Sequence, residues 1–292
     1  MPVSYLVVGA VVLSLVLMQI NARAASPLLS IADRWLRWLI FSLGGAELNA
    51  YFEWIDRPYA VVAATCFLGW FLLETAFNWM RIHALSVSPL PLFPHYELNQ
   101  EGDEWPIQSR MLRVREWLRA QGFKQVQALK AEIGGGIFLR VSVFQDAEAT
   151  TRIHVTFIPQ ASGAITVCYG FTSLTADGSR FVTDNLYVPF AGFYPESWFV
   201  ERSPWRRSPE VLWKRHRARL NRAGAMPVPF ELDPLSDQNS SQQELDRLNT
   251  ELGFLHVPAE RENHGKITHE GRYRVWKEIW MLNYLGCAMR YD

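Results

Sequence analysis

"YAVVAATCFLGWFLLETAFNWM", residues 59–80, is the stretch on which the architecture turns: it opens after Pro58, closes at Arg81 and holds a single ionisable group, Glu74. At about 1.5 Å of rise per residue it reaches roughly 33 Å as a helix, enough for a bilayer core of about 30 Å. Trp79 stands where an interfacial ring would sit. A carboxylate among lipid tails is costly unless paired, so Glu74 reads as a contact for a partner helix. The plainer alternatives are protonation or a bond to Asn78 one turn on.

Working back, "VSYLVVGAVVLSLVLMQI" (residues 3–20) has no charge at all and supplies a second span. "ARA" at 22–24 resembles a leader cleavage site, yet no Lys or Arg precedes the apolar run. The run also exceeds the leader core of about 7–15 residues, so the reading is a retained anchor. Between the spans, residues 30–46 form an amphipathic segment whose apolar run, Trp35–Leu43, is interrupted by Arg37 and too short to cross. With Trp35 and Trp38 at its rim it reads as a helix lying in the interface, against lipid or a partner; a short packed helix is the alternative. Residues 1–85 are thus expected to form a two-helix transmembrane hairpin. Arg23, Arg34, Arg37 and Arg57 lie between the spans and Arg81 just after the second. Positive residues favour the cytoplasmic side, which puts the remainder of the chain on the extracytoplasmic side of a membrane read as a bacterial inner membrane.

Working forward, Pro89, Pro91 and Pro94 make residues 86–104 a stiff extended tether. Residues 105–292 read as a soluble α+β domain: an antiparallel β-meander flanked by helices. "QSRMLRVREWLRAQGF" is a helix stopped at Gly122, and alternation marks strands at 137–144, 152–158, 164–171 and, more weakly, 180–188. Residues 124–133 offer a fifth strand, and "AEIGGGIF" a hairpin turn without the GK[ST] continuation of a phosphate loop. Ser162–Gly163 and Asp177–Gly178 are hairpin turns. The aromatic strip 189–205 reads as a loop laid over the sheet. After it Ser208–Pro209 starts a helix whose Leu212, Trp213, His216 and Leu220 dock while Arg215, Arg217 and Arg219 stay in solvent, free for anionic lipid or an acidic partner. "PVPFELDPLSDQNSS" reads as a linker, Ser241–Glu244 as a capping box, and "RYRVWKEIWMLNYLG" as a helix apolar enough to lie deep in the domain or against a partner.

Lys plus Arg and Asp plus Glu are equal at 29 each, so no bulk charge calls for a polyanion, and no nucleic-acid module is present. Cys66, Cys168 and Cys287 lack zinc or disulfide spacing, with a Cys168–Cys287 pair left open. His256, His264 and His269 with Glu260, Glu262 and Glu270 are a poor metal set, since the spacing cannot put the histidines on one helix face. A Cys168–His154 dyad across adjacent strands is sterically conceivable. No catalytic residue, metal or cofactor is expected. The expectation is a membrane-anchored, non-enzymatic accessory or structural subunit, with the bilayer and other membrane subunits as partners and Glu74, Trp35, Trp38, Trp213, Arg215, Arg217 and Arg219 as contacts. The alternative is a membrane-tethered enzyme or small-ligand binder.

Overall fold

Long runs of Leu, Val, Ala and Phe, with proline confined to helix starts, favour helix throughout the first part of the chain. The computed structural model describes residues 3–24, 26–101, 105–134, 136–159 and 165–289, and opens with three helices: α1 (Val3–Ala24), α2 (Pro27–Phe52) and α3 (Tyr59–Val87). Ser14 meets Asp33 and Asn21 meets Ser30, while Trp38 lies on Phe67 and Ser42 bonds the Ala63 carbonyl. Partner numbers fall as the others rise, so each helix runs antiparallel to the next. Gly45 lets α2 and α3 close, with the Cys66 side chain filling the space a Cβ would need.

Two expectations change here. The segment 30–46 is not a short helix lying across the bundle. It belongs to α2, a 26-residue helix packed along both neighbours. The apolar run Trp35–Leu43 hid this, because α2's early charges are satisfied sideways: Asp33 by Ser14 and Arg37, Arg34 by Glu74. The hairpin is therefore an up–down–up bundle, and the arginines between α1 and α3 divide. Arg23, Arg34 and Arg37 stand near the α1–α2 turn; Arg57 stands at the α2–α3 turn. α1 and α3 are long and apolar enough to cross a bilayer, and most of each apolar window faces outward.

The domain after α3 is α+β, and its sheet is mixed. Chain order is β1 (Glu97–Leu98), α4 (Ser109–Ala120), β2 (Lys124–Gly134), β3 (Ile137–Gln145), β4 (Thr151–Pro159), β5 (Ile165–Thr175), β6 (Arg180–Asp184) and β7 (Trp198–Arg202). Then come α5 (Pro209–Ala223), β8 (Pro227–Val228), α6 (Pro234–Glu251), α7 (Arg261–His264) and α8 (His269–Trp280), continued by a π turn over Met281–Leu285. Strands β1 to β6 pair antiparallel in sequence order, the expected meander. The β2–β3 turn needs the left-handed region at Gly134 (φ 108°) and Gly136 (φ 73°). The Ser162–Gly163 turn falls outside the described residues.

β7 corrects the reading of the aromatic strip. Trp198–Arg202 is a strand, parallel to β6, and the loop parts of the strip are 189–197 and 203–205. Phe199 stacks on Phe181 of β6 at 4.9 Å, so the strip widens the sheet at its edge. On one sheet face α4 and α5 cover Ile153, Val155, Phe157, Tyr169 and Phe171. On the other, α6 is held by Asp237, which pairs with Arg152 (3.2 Å) and Arg180. α6 also corrects the supposed linker: Asp233 caps it, accepting from the Leu235 and Ser236 amides, and Pro234 opens it.

The tether is not a free spacer either. Tyr96 exchanges bonds with Asn239, β1 pairs with β2, and Lys266 donates to the Ser88 and Leu90 carbonyls. Proline keeps this stretch extended, and extended backbone is what the sheet edge and α6 can bind.

Candidate functional site at the bundle junction

The domain's last helix reaches back along the first helices. α8 runs antiparallel to α3, with His269 beside Trp79 (5.7 Å between rings) and Trp280 beside Phe71 (5.2 Å). Its upper part is rooted in the domain through Val275, packed with Ile267, Phe254, Leu255 and Ile82 of α3. Its lower part joins an aromatic cluster centred on Trp38. Phe67 lies at 4.6 Å, Tyr284 at 5.1 Å, Trp35 at 5.5 Å and Trp280 at 5.7 Å from that ring. Such pairs add about 0.5–1.5 kcal/mol each beyond burial.

Two indoles of the cluster are matched, while Trp280 Nε1 is buried without a hydrogen-bond partner among the described residues. Trp38 Nε1 donates to the Phe67 carbonyl and Trp35 Nε1 to the Tyr284 carbonyl, each at 3.0 Å. The latter bond uses a carbonyl within the π turn, where the α-helical ladder is interrupted. Glu74 receives Arg34 at 3.3 Å on one carboxylate oxygen and the Tyr284 hydroxyl on the other. Glu74, Trp35 and Trp38 thus converge on one junction with Arg34, Tyr284 and Trp280. Of these, Tyr284 and Trp280 were not singled out from sequence as contacts. The wide apolar arc of 273–285 was the available signal for Tyr284 and Trp280, but it named no partner.

The other sequence candidates lie elsewhere, on α5. Leu212, His216 and Leu220 are buried, and Trp213 stacks on Phe171 at 5.4 Å and meets Phe123 edge-on, as a docking face would. Arg215 is 43% exposed and pairs with Glu201; Arg217 lies over the Trp213 ring. Arg219 departs from expectation: its side chain is only 14% exposed. It donates to the Val182 and Phe199 carbonyls and to Thr183, so it is spent on joining β6, β7 and α5.

His216 sits between Thr183 (3.0 Å) and Ser173 (3.1 Å), and Ser173 in turn meets Thr151 at 2.9 Å. Burial, helped by nearby Arg219, pulls its pKa down to about 3, so it is a neutral core histidine. His154 and Cys168 share the opposite sheet face, but one register position apart: His154 faces Gly170 and Cys168 faces Thr156. Burial pushes the Cys168 thiol up to about 12 and the His154 imidazole down to about 4. Neither value suits a thiolate nucleophile with a charged partner.

All three cysteines are free thiols, Cys168 buried and Cys287 exposed, so no Cys168–Cys287 bond exists. The His256 and His264 rings lie 5.6 Å apart, tilted to each other, yet His269 lies against Trp79, and no metal-ligand cluster forms among the described residues.

A cavity of about 270 Å³ lies beside the junction, between the α1–α2 turn, the ends of β4 and β5, and the loop after β6. Set against known protein families, curated proteins and solved structures, the chain matches none.

Proposed function

We propose that this chain is an integral membrane protein that works by binding, an accessory or structural subunit whose α+β domain is held in a fixed pose at the bilayer beside other membrane subunits. The observation that carries the reading is α8. One helix is packed into the domain at Val275 and into the bundle at Trp280, so the domain does not hang from a loose tether. Ser86 and Gly265 in contact, and Arg272 bonded to His83, add further fixings between α3 and the domain.

Two observations support a bilayer around the bundle. α1 exposes an almost continuous apolar surface from Tyr5 to Ile20. The α2–α3 turn exposes Tyr51, Phe52, Trp54 and Ile55, with Trp54 69% accessible, as an interfacial belt would at the end remote from the domain. Sidedness follows from the redistributed arginines. Arg23, Arg34, Arg37 and Arg81 lie toward the domain and Arg57 lies at the far turn. That count supports a cytoplasmic domain, the reverse of what the sequence suggested when α2 was read as a loop.

Purification of the full chain in mild detergent tests the subunit role. A stoichiometric protein partner is expected, and a partnerless monomer would end it. Alkaline carbonate washing tests embedding: the chain should remain with the membranes, and release into the wash would overturn the anchor.

A further inference from the structure

The cavity at the α1–α2 turn is built from both halves of the chain: Asn21, Ser26 and Ser30 on one side, Thr166, Tyr187 and Arg207 on the other. Among the described residues its lining contains no Asp or Glu. Arg207 is half-buried, and among the described residues no carboxylate pairs with its guanidinium. Its charged neighbour is instead Arg110, whose guanidinium donates to the Arg207 carbonyl at 3.2 Å. Burial and then Arg110 lower the pKa of Arg207, the signature of a cation lacking its counterion.

Around this cation, hydroxyl donors remain unspent. Ser26 makes no capping bond to α2. Ser30 accepts from Asn21 at 2.8 Å, which leaves its own proton available. Asn21 is oriented by the Ser26 amide at 2.6 Å, so the turn is held in shape. Tyr187 is committed to the Leu282 carbonyl and serves as wall. A cation with hydroxyl donors and no acid suits a phosphate group. The level of the cavity selects the source: it opens where the apolar run of α1 ends at Ile20, the depth of lipid headgroups if α1 spans.

We propose that this cavity holds the phosphate headgroup of an anionic membrane lipid, with Arg207 as its counterion and Ser26 and Ser30 as hydrogen-bond donors. The site joins α1 and α2 to β4 and β5, so a bound headgroup bridges bundle and domain. The inference rests on the reading that the bundle lies in a bilayer.

The test uses the full chain purified in detergent and supplied with phosphatidylglycerol, phosphatidylcholine or soluble glycerol phosphate, with retained lipid counted by native mass spectrometry. Retention of phosphatidylglycerol should exceed that of phosphatidylcholine, and Arg207→Gln should lower it on the order of tenfold, while Arg207→Lys keeps most of it. Val188→Trp, at the exposed rim, should block retention with Arg207 intact. It also serves if Arg207→Gln fails to fold. Equal retention of the two lipids, or unchanged retention in both Arg207→Gln and Val188→Trp, would overturn the site. Glycerol phosphate competing as well as the lipid would make it a pocket for a soluble anion and overturn the lipid assignment. Carbonate extraction is read separately, so a chain that stays in membranes without lipid preference refutes this inference alone.

Discussion

Glu74 lies on an apolar helix because Arg34 and Tyr284 divide its two oxygens between them. Its anomaly was visible in the sequence; its partners were not, since Tyr284 lies 210 residues on. Glu74→Leu leaves Arg34 unpaired and should cost about 2–4 kcal/mol in detergent unfolding, most of it recovered by adding Arg34→Leu. Equal losses in the single and double variants would show that the pair itself matters little. His216 gives a second prediction at this scale. Its pKa is held near 3 in the fold, below the unfolded value of about 6.5. The unfolded chain therefore takes the proton first as pH falls. This stability is complete above about pH 6.5 and is lost at up to ~1.4 kcal/mol per pH unit down to about 3. Unfolding midpoints followed from pH 7 to 5 should fall less steeply in His216→Gln than in the native chain. His154, held near 4, leaves a residual slope of the same sign.

Elements were legible where one periodicity ruled. Strict alternation gave β3 and β4, and the long apolar runs gave α1 and α3. Reading failed where the decisive partner was remote or where composition imitated a loop. α6 begins inside a run of Ser, Asp, Asn and Gln, and its signal was the Asp233–Pro234 start rather than any apolar stripe. β7 hid among aromatics because a parallel edge strand has no hairpin turn to announce it. For α5, the docking stripe was readable but the fate of each arginine was not. Arg219→Gln should cost about 2 kcal/mol in chemical unfolding, because it strands the Val182 and Phe199 carbonyls. Arg215→Gln and Arg217→Gln should each stay within about 0.5 kcal/mol. Trp213→Ala, removing a ring stacked on Phe171 but only partly buried, should cost about 2–4 kcal/mol. A neutral Arg219→Gln would return all three arginines to the solvent.

For the whole molecule, sidedness is the sharpest expectation. Met226 is 81% exposed on the domain and Trp54 is exposed at the opposite turn. In a variant with its native cysteines replaced by serine, Trp54→Cys should react with an impermeant maleimide in intact cells. Met226→Cys should react only after the membrane is opened; the reverse pattern would put the domain outside. The same assembly imposes an order on synthesis. Trp35 must wait for a carbonyl 249 residues further along the chain. At roughly 5–20 residues per second, translation alone separates those atoms by about 12–50 s. During that interval α3 already covers one side of Trp38, but Trp35 Nε1 and one oxygen of Glu74 are unclaimed by the rest of the chain. A ribosome stalled before residue 280 would thus leave the three-helix bundle unlocked, and the arrival of Trp280 and Tyr284 is the event that closes its aromatic cluster.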